Sequence, residues 1–94
     1  MILASLARYI NMHDFHLADQ ILKIVLEYAE KNSFKSVKKI ELELGSILEH
    51  GEIISPENLI FNFNLLSKNT IAEDAELDIK KIAGDNWKLV SIEE

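Results

Sequence analysis

Donor groups that suit a metal ion are concentrated in one short segment of the chain, Met12-His13-Asp14-Phe15-His16. The 94 residues contain no cysteine that could form a competing thiolate site. Neutral imidazole, carboxylate and backbone nitrogen suit Ni(II) or Cu(II) in tetragonal geometry, whereas structural zinc sites usually include sulfur. These donor types permit nickel without selecting it.

A purely structural interpretation of the same segment is also open. In it, Asp14 caps a helix, His16 is a surface residue of the first turn, and His13 is a polar residue at an exposed end. Two side chains bind a metal weakly without further ligands. On the residues alone, this structural interpretation is favoured.

An amphipathic helix is predicted to follow these donors and hold them in place. Apolar residues recur at helical spacing over residues 15–29 and are opposed by a polar side. Asp14 is predicted to cap this helix, where its carboxylate also interacts favourably with the helix dipole. His13 and His16 are three residues apart, so they share a helix face if the helix has already begun at His13.

The rest of the chain predicts one strand, a second helix and two further strands. Apolar and charged residues alternate over residues 39–44 and end at Gly45, which predicts a half-buried strand. Ser55 followed by Pro56 predicts a helix start, with the serine as cap and the proline in the first turn. The apolar residues around 77–79 and 87–89 flank a turn-like segment, 83–86, and predict a terminal β-hairpin.

The predicted fold class is α+β, with both helices packed on one face of a small three-stranded, mainly antiparallel sheet. Residues 12–94 are predicted to form a single domain, preceded by a leader of residues 1–11. Two interpretations of the leader are open. In the first, the leader extends the first helix and packs on a neighbour or a second copy; this interpretation is supported by the helical spacing of Leu3, Leu6, Ala7 and Ile10. In the second, the start was assigned too early and Met12 is the true first residue.

Composition argues against several classes of function. The net charge of −6, from 16 acidic and 10 basic residues, opposes binding to a phosphate backbone. The three glycines are too scattered for a phosphate-binding loop, and no serine lies in a recognisable nucleophile turn. Residues 1–10 are too short to span a bilayer and lack a basic leading segment. We therefore predict a protein that is not an enzyme and binds neither nucleic acid nor membrane; the absence of cysteine is compatible with a cytoplasmic location.

Other residues carry weaker signals. His50 is an extra metal ligand if its loop folds toward the first helix, although an exposed loop histidine is the commoner case. An acidic run could attract a basic partner surface or form a solvated edge; it comprises Glu73, Asp74, Glu76 and Asp78. Trp87 is most often core or sheet cover in so small a domain, and an interface anchor is the second interpretation.

Several segments together resemble the HypA family, the nickel-incorporation proteins of [NiFe] hydrogenase maturation. Met12-His13-Asp14-Phe15-His16-Leu17-Ala18 is similar to the Met-His-Glu opening of that family, and Ile40-Glu41-Leu42-Glu43-Leu44-Gly45 is similar to its strand ending in glycine. Ser55-Pro56-Glu57-Asn58-Leu59 resembles its second helix start. Thr70-Ile71-Ala72-Glu73-Asp74-Ala75-Glu76-Leu77 resembles its Thr-x-x-Glu-Gly-Ala-x-Leu segment. The resemblance runs in the family's order from residue 12 to about residue 89.

This resemblance implies a nickel site at the chain start on a domain of two helices and three strands. His13 would be the imidazole ligand, Met12 would supply a nitrogen, and Asp14 stands where the family has glutamate. His16 is a further candidate ligand. The implied partners are a HypB-like GTPase and the hydrogenase large subunit, and homo-oligomerisation through the leader is an additional expectation.

The chain departs from the family pattern in three places. The family inserts a zinc-binding domain with two Cys-x-x-Cys pairs where this chain has only residues 83–86, so no structural zinc is expected. The leader would turn a free amine at Met12 into an amide, which lowers the expected nickel affinity. Asp14 keeps the family's carboxylate, one methylene shorter.

Two functional hypotheses follow from the sequence. The first is a HypA-like nickel metallochaperone for [NiFe] hydrogenase. The second is a zinc-less relative that keeps the fold and acts as a metal-independent adaptor or regulator of a partner protein.

Overall fold

The computed structural model describes the backbone of residues 13–49 and 51–94, and the side chains of residues 16–48 and 51–94. The leader prediction, Met12 and His50 lie outside the described residues. In chain order the elements are α1 (His13–Lys31), β1 (Lys39–Leu44), β2 (Leu48–Glu49), β3 (Glu52–Ile53), α2 (Pro56–Leu66), β4 (Glu76–Lys81) and β5 (Trp87–Glu93).

Helix α1 forms because its apolar residues recur at helical spacing and meet the core along one side. That buried side comprises Leu17, Ala18, Ile21, Leu22, Val25 and Ala29. The helix ends where Ser33 adopts a positive φ of 59° and the Phe34 amide donates to the Ala29 carbonyl at 2.9 Å. The predicted helix is confirmed, but it begins at His13 rather than after Asp14. The prediction that Asp14 is the cap is therefore wrong, since this residue lies in the first turn.

Helix α2 begins as its sequence predicts. The Ser55 hydroxyl accepts a hydrogen bond from the Asn58 amide at 3.1 Å, and Pro56 occupies the first turn, where no intrahelical amide donor is needed. Leu59 and Phe63 are fully buried and attach the helix to the core. The two helices pack directly against each other.

The main sheet has the strand order β4-β1-β5, with β1 in the centre. Strand β1 pairs with β4 in parallel and with β5 antiparallel. The sheet is therefore mixed, and the prediction of a mainly antiparallel sheet is wrong. The predicted terminal hairpin is also wrong, because β4 and β5 are separated by β1. Helix α2 forms the crossover between the parallel strands β1 and β4, a connection that local patterning does not reveal.

Residues 82–86 join the two edge strands by crossing over the end of β1. The Gly45 amide donates to the Asn86 carbonyl and the Ser46 amide to the Gly84 carbonyl, both at 2.8 Å. A Cβ atom at position 45 would lie 2.5 Å from the Gly84 oxygen and 2.7 Å from the Asn86 oxygen. Glycine ends β1 because a side chain there would collide with the crossing segment.

A second, two-stranded sheet of β2 and β3 was not predicted. Leu48 lies opposite Ile53, and Glu49 opposite Glu52. Strands of two residues are too short to display alternation. The Ile54 amide extends the pairing by donating to the Ile47 carbonyl at 3.0 Å.

Candidate metal site

The start of α1 lies at the end of the sheet where β1 finishes. Residues 32–38 lead from the end of α1 to the start of β1, and residues 67–75 lead from the end of α2 to the start of β4. The Val37 amide donates to the Ile71 carbonyl at 2.8 Å, which joins these two connections at the opposite end of the sheet. Both helix starts, the β2–β3 hairpin and the crossing segment 82–86 therefore share one end of the molecule.

His13 and His16 are both helical residues. Because α1 begins at His13, the condition for these two residues to share a helix face is met. His16 is half-buried. The side chains of His13 and Asp14 and the whole of Met12 lie outside the described part of the chain, so the proposed ligand set stays a prediction.

The described side chains offer no alternative metal centre. Among residues 16–48 and 51–94, no group of three or more His, Asp or Glu side chains is close enough together to hold an ion. Glu52 belongs to the hairpin at the same end of the sheet as His16, and its side chain is exposed.

The acidic run is divided between a turn and a strand. Glu73 and Asp74 belong to the turn before β4, where the Glu73 carboxylate accepts from the Asn69 amide at 3.3 Å. Glu76 and Asp78 lie on β4, and all four side chains are exposed. Trp87 is half-buried against the core, opposite Leu44 in the β5–β1 register.

Sequence reasoning missed the face of the sheet that points away from the helices. Residues of β1 on this face were interpreted only as the polar side of a half-buried strand. Their cross-strand neighbours depend on the order β4-β1-β5, which local patterns do not specify.

No helix among residues 13–49 and 51–94 has the length and apolar character needed to cross a bilayer.

Known structures confirm the architecture. The solution structure of the Ni metallochaperone HypA from Helicobacter pylori superposes with a TM-score of 0.71, covering 86% of this chain and 96% of that one at 14% identity. A second structure, described as the solution structure of HypA protein, gives a TM-score of 0.69. At this identity the likeness concerns the fold, namely two helices on a three-stranded sheet.

Sequence comparison identifies relatives with one shared description, hydrogenase maturation factor HypA. The relative from Rhizobium leguminosarum bv. viciae is 35% identical over 88 residues, covering 88% of this chain and 74% of the relative. The relative from Archaeoglobus fulgidus is 40% identical and covers 72% of this chain. The relative from Methylocella silvestris is 38% identical and covers 81% of this chain. The chain spans only 58% and 64% of the lengths of the latter two.

A family model described as "Hydrogenase/urease nickel incorporation, metallochaperone, hypA" matches residues 12–87. The match begins at Met12, the first residue of the donor segment, and includes both helices, β1 and β4. With the relatives and the shared fold, it shows that this chain belongs to the HypA family of nickel-incorporation metallochaperones.

Proposed function

We propose that this chain binds Ni(II) at the start of α1 and passes it on during maturation of [NiFe] hydrogenase. The observation that carries the proposal is the family match from Met12 onward, combined with a helix that begins at His13. Family membership indicates the cargo, and the helix start brings two imidazole-bearing residues onto one face.

His13 is the central ligand in this proposal. Met12 contributes a backbone nitrogen, Asp14 a carboxylate, and His16 a second imidazole. Nitrogen donors with one carboxylate suit the tetragonal geometry of Ni(II). A terminal amine at Met12 is a better donor than an amide, because the amide nitrogen must first lose its proton.

The position of the site suits a protein that must release its metal. The start of a helix carries a partial positive charge, which disfavours a divalent cation unless a nearby anion offsets it. Asp14 supplies that anion from the first turn. A small ligand set held against an unfavourable dipole gives binding that a recipient protein can compete away.

The test is a nickel titration of metal-free protein by calorimetry. The His13→Ala variant should lose at least about tenfold in affinity, because removing a ligand costs no less than removing a group that orients one. Gln20→Ala is the matched control, since it removes an exposed side chain of the same helix that is not among the proposed ligands. Unchanged affinity in His13→Ala would remove His13 from the site, and a far-UV circular dichroism spectrum like that of the parent would show that α1 is intact.

The proposed partners are a HypB-like GTPase and the hydrogenase large subunit, in a cytoplasmic setting, with the chain acting as a carrier and not as a catalyst. Structural zinc is not part of the proposal, because the sequence has no cysteine. Homo-oligomerisation through residues 1–11 remains a further proposal.

A metal-independent adaptor is the second candidate function. It is favoured by one observation: five residues, 82–86, connect β4 directly to β5 without any cysteine. Pull-down with the GTPase as bait, in the presence and absence of a chelator, separates the two functions. Equal recovery supports the adaptor, whereas loss on chelation supports the nickel carrier.

A further inference from the structure

One face of the main sheet points away from both helices. On β1, Ile40, Leu42 and Leu44 are fully buried on the helix side, while the intervening residues are partly exposed. We call the other side the open face; its residues are Lys39, Glu41, Glu43, Glu76, Asp78, Lys80, Lys88, Val90, Ser91 and Glu93.

The two outer rows of the open face pair opposite charges across the strands. In one row Lys39 lies between Glu76 on β4 and Glu93 on β5. In the other row Glu43 lies between Lys80 and Lys88, one on each edge strand. Opposite charges at directly paired positions stabilise a sheet, so each central residue of these rows has neighbours that attract it.

The middle row lacks this balance. Glu41 lies between Asp78 on β4 and Ser91 on β5. The Ser91 hydroxyl donates to Glu41 Oε1 at 2.6 Å, which leaves Oε2 for another donor. Lys39 approaches Asp78 Oδ2 only to 4.0 Å, and both side chains are substantially exposed.

The open face carries five carboxylates and three ammonium groups, so it has a net charge of −2.

A β-bulge adds an apolar contact beside the middle row. The β1–β5 register shifts between Glu41 and Leu42, so Val90 is the extra residue of β5. Val90 is 50% exposed and lines a shallow cleft of about 510 Å³, whose charged lining residues are Glu41, Glu43, Asp78 and Lys80. Bulges often redirect a side chain next to a functional surface.

We propose that the open face is a docking surface for a partner protein that inserts an arginine flanked by an apolar side chain. The guanidinium lies between Glu41 and Asp78, and the apolar side chain packs on Val90. Arginine fits better than lysine because its planar fork can donate to two adjacent carboxylates. Lys80 and Lys88 repel a cation placed in the row of Glu43, so the surface disfavours that register of the partner.

The probe is a blocked tripeptide, acetyl-Val-Arg-Val-amide, titrated into the ¹⁵N-labelled full chain and followed by amide chemical shifts. Its neutral analogue carries citrulline in place of arginine. We expect shifts confined to the middle row and Val90, and binding about fivefold tighter for the arginine peptide, as for a favourable ion pair at a partly exposed site. Equal binding of the two peptides, shifts elsewhere, or no shift at all would overturn the proposal.

The variant Glu41→Gln should weaken binding of the arginine peptide and reduce its advantage over the citrulline peptide, because only Asp78 remains to attract the guanidinium. Its amide oxygen can still accept from the Ser91 hydroxyl, so this side-chain contact across the strands is kept. Glu76→Gln is the matched control, because it changes the net charge of the same face equally but lies in an outer row, outside the cleft. Equal losses in the two variants would mean that the overall charge, and not Glu41, attracts the peptide.

A second copy of the chain is the competing occupant. Sedimentation of the parent and of Glu41→Gln distinguishes it: a dimer that the substitution abolishes would overturn the choice of a partner protein. The titration needs no metal, so its failure leaves the nickel proposal untouched, and loss of nickel binding would not affect the docking surface.

Discussion

The substitution Gly45→Ala tests whether the crossing segment 82–86 determines the residue that ends β1. A Cβ atom at this position would lie 2.5 Å from the Gly84 carbonyl oxygen and 2.7 Å from that of Asn86. Both contacts are to backbone, which cannot rotate away as a flexible side chain can. The crossing segment must therefore move, and its movement weakens the two 2.8 Å hydrogen bonds from the Gly45 and Ser46 amides.

The expected loss follows from these contacts. Forcing an extra methyl group into a filled site costs about 1–3 kcal/mol, and each weakened hydrogen bond up to about 1 kcal/mol. We expect the free energy of unfolding to fall by about 2–4 kcal/mol. For a domain of this size, that corresponds to a fall in Tm of roughly 10–25 °C.

Urea unfolding followed by circular dichroism measures this loss, and Gly84→Ala is the control in the same segment. Gly84 has a φ of 97°, and beyond its chain neighbours no atom lies within 4 Å of an added Cβ, so its substitution strains only the backbone, at about 1–2 kcal/mol. If Gly45→Ala were less destabilising than Gly84→Ala, or within about 0.5 kcal/mol of the parent, the crossing segment would not be the reason for glycine at position 45.

Three further predictions concern the core and the metal site. Phe63→Ala should lower the free energy of unfolding by about 3–5 kcal/mol, because Phe63 is fully buried. Phe61→Ala on the same helix should stay within about 0.5 kcal/mol of the parent, because Phe61 is 62% exposed. Equal effects of the two substitutions in urea unfolding would contradict the packing of α2. A chain beginning at Met12 should bind nickel more tightly in calorimetry than one beginning at Met1, because it offers a free amine, and equal affinities would remove the Met12 nitrogen from the ligand set. For both chains, nickel affinity should fall as the pH is lowered, since a protonated imidazole has no lone pair for a metal.

The sequence by itself determined the elements whose signals are local. Helix α1 is specified by apolar residues at helical spacing, α2 by the Ser55 cap and Pro56, and β1 by strict alternation of apolar and charged residues. Each signal acts over a few residues, so no knowledge of distant partners is needed to interpret it. The donor types of residues 12–16 can also be identified locally, whereas the family resemblance depends on residues 12–18 together with the later segments 40–45, 55–59 and 70–77.

Only the tertiary structure decided which strands pair. The residues around 77–79 and 87–89 have strand character, but nothing local distinguishes a hairpin from two strands that flank β1. The pairing of β4 with β1 depends on helix α2 crossing between them, and the five residues 82–86 then have to pass over Gly45. Glu41 acquires its unbalanced neighbours from this order alone, because cross-strand contacts join residues that are distant along the chain.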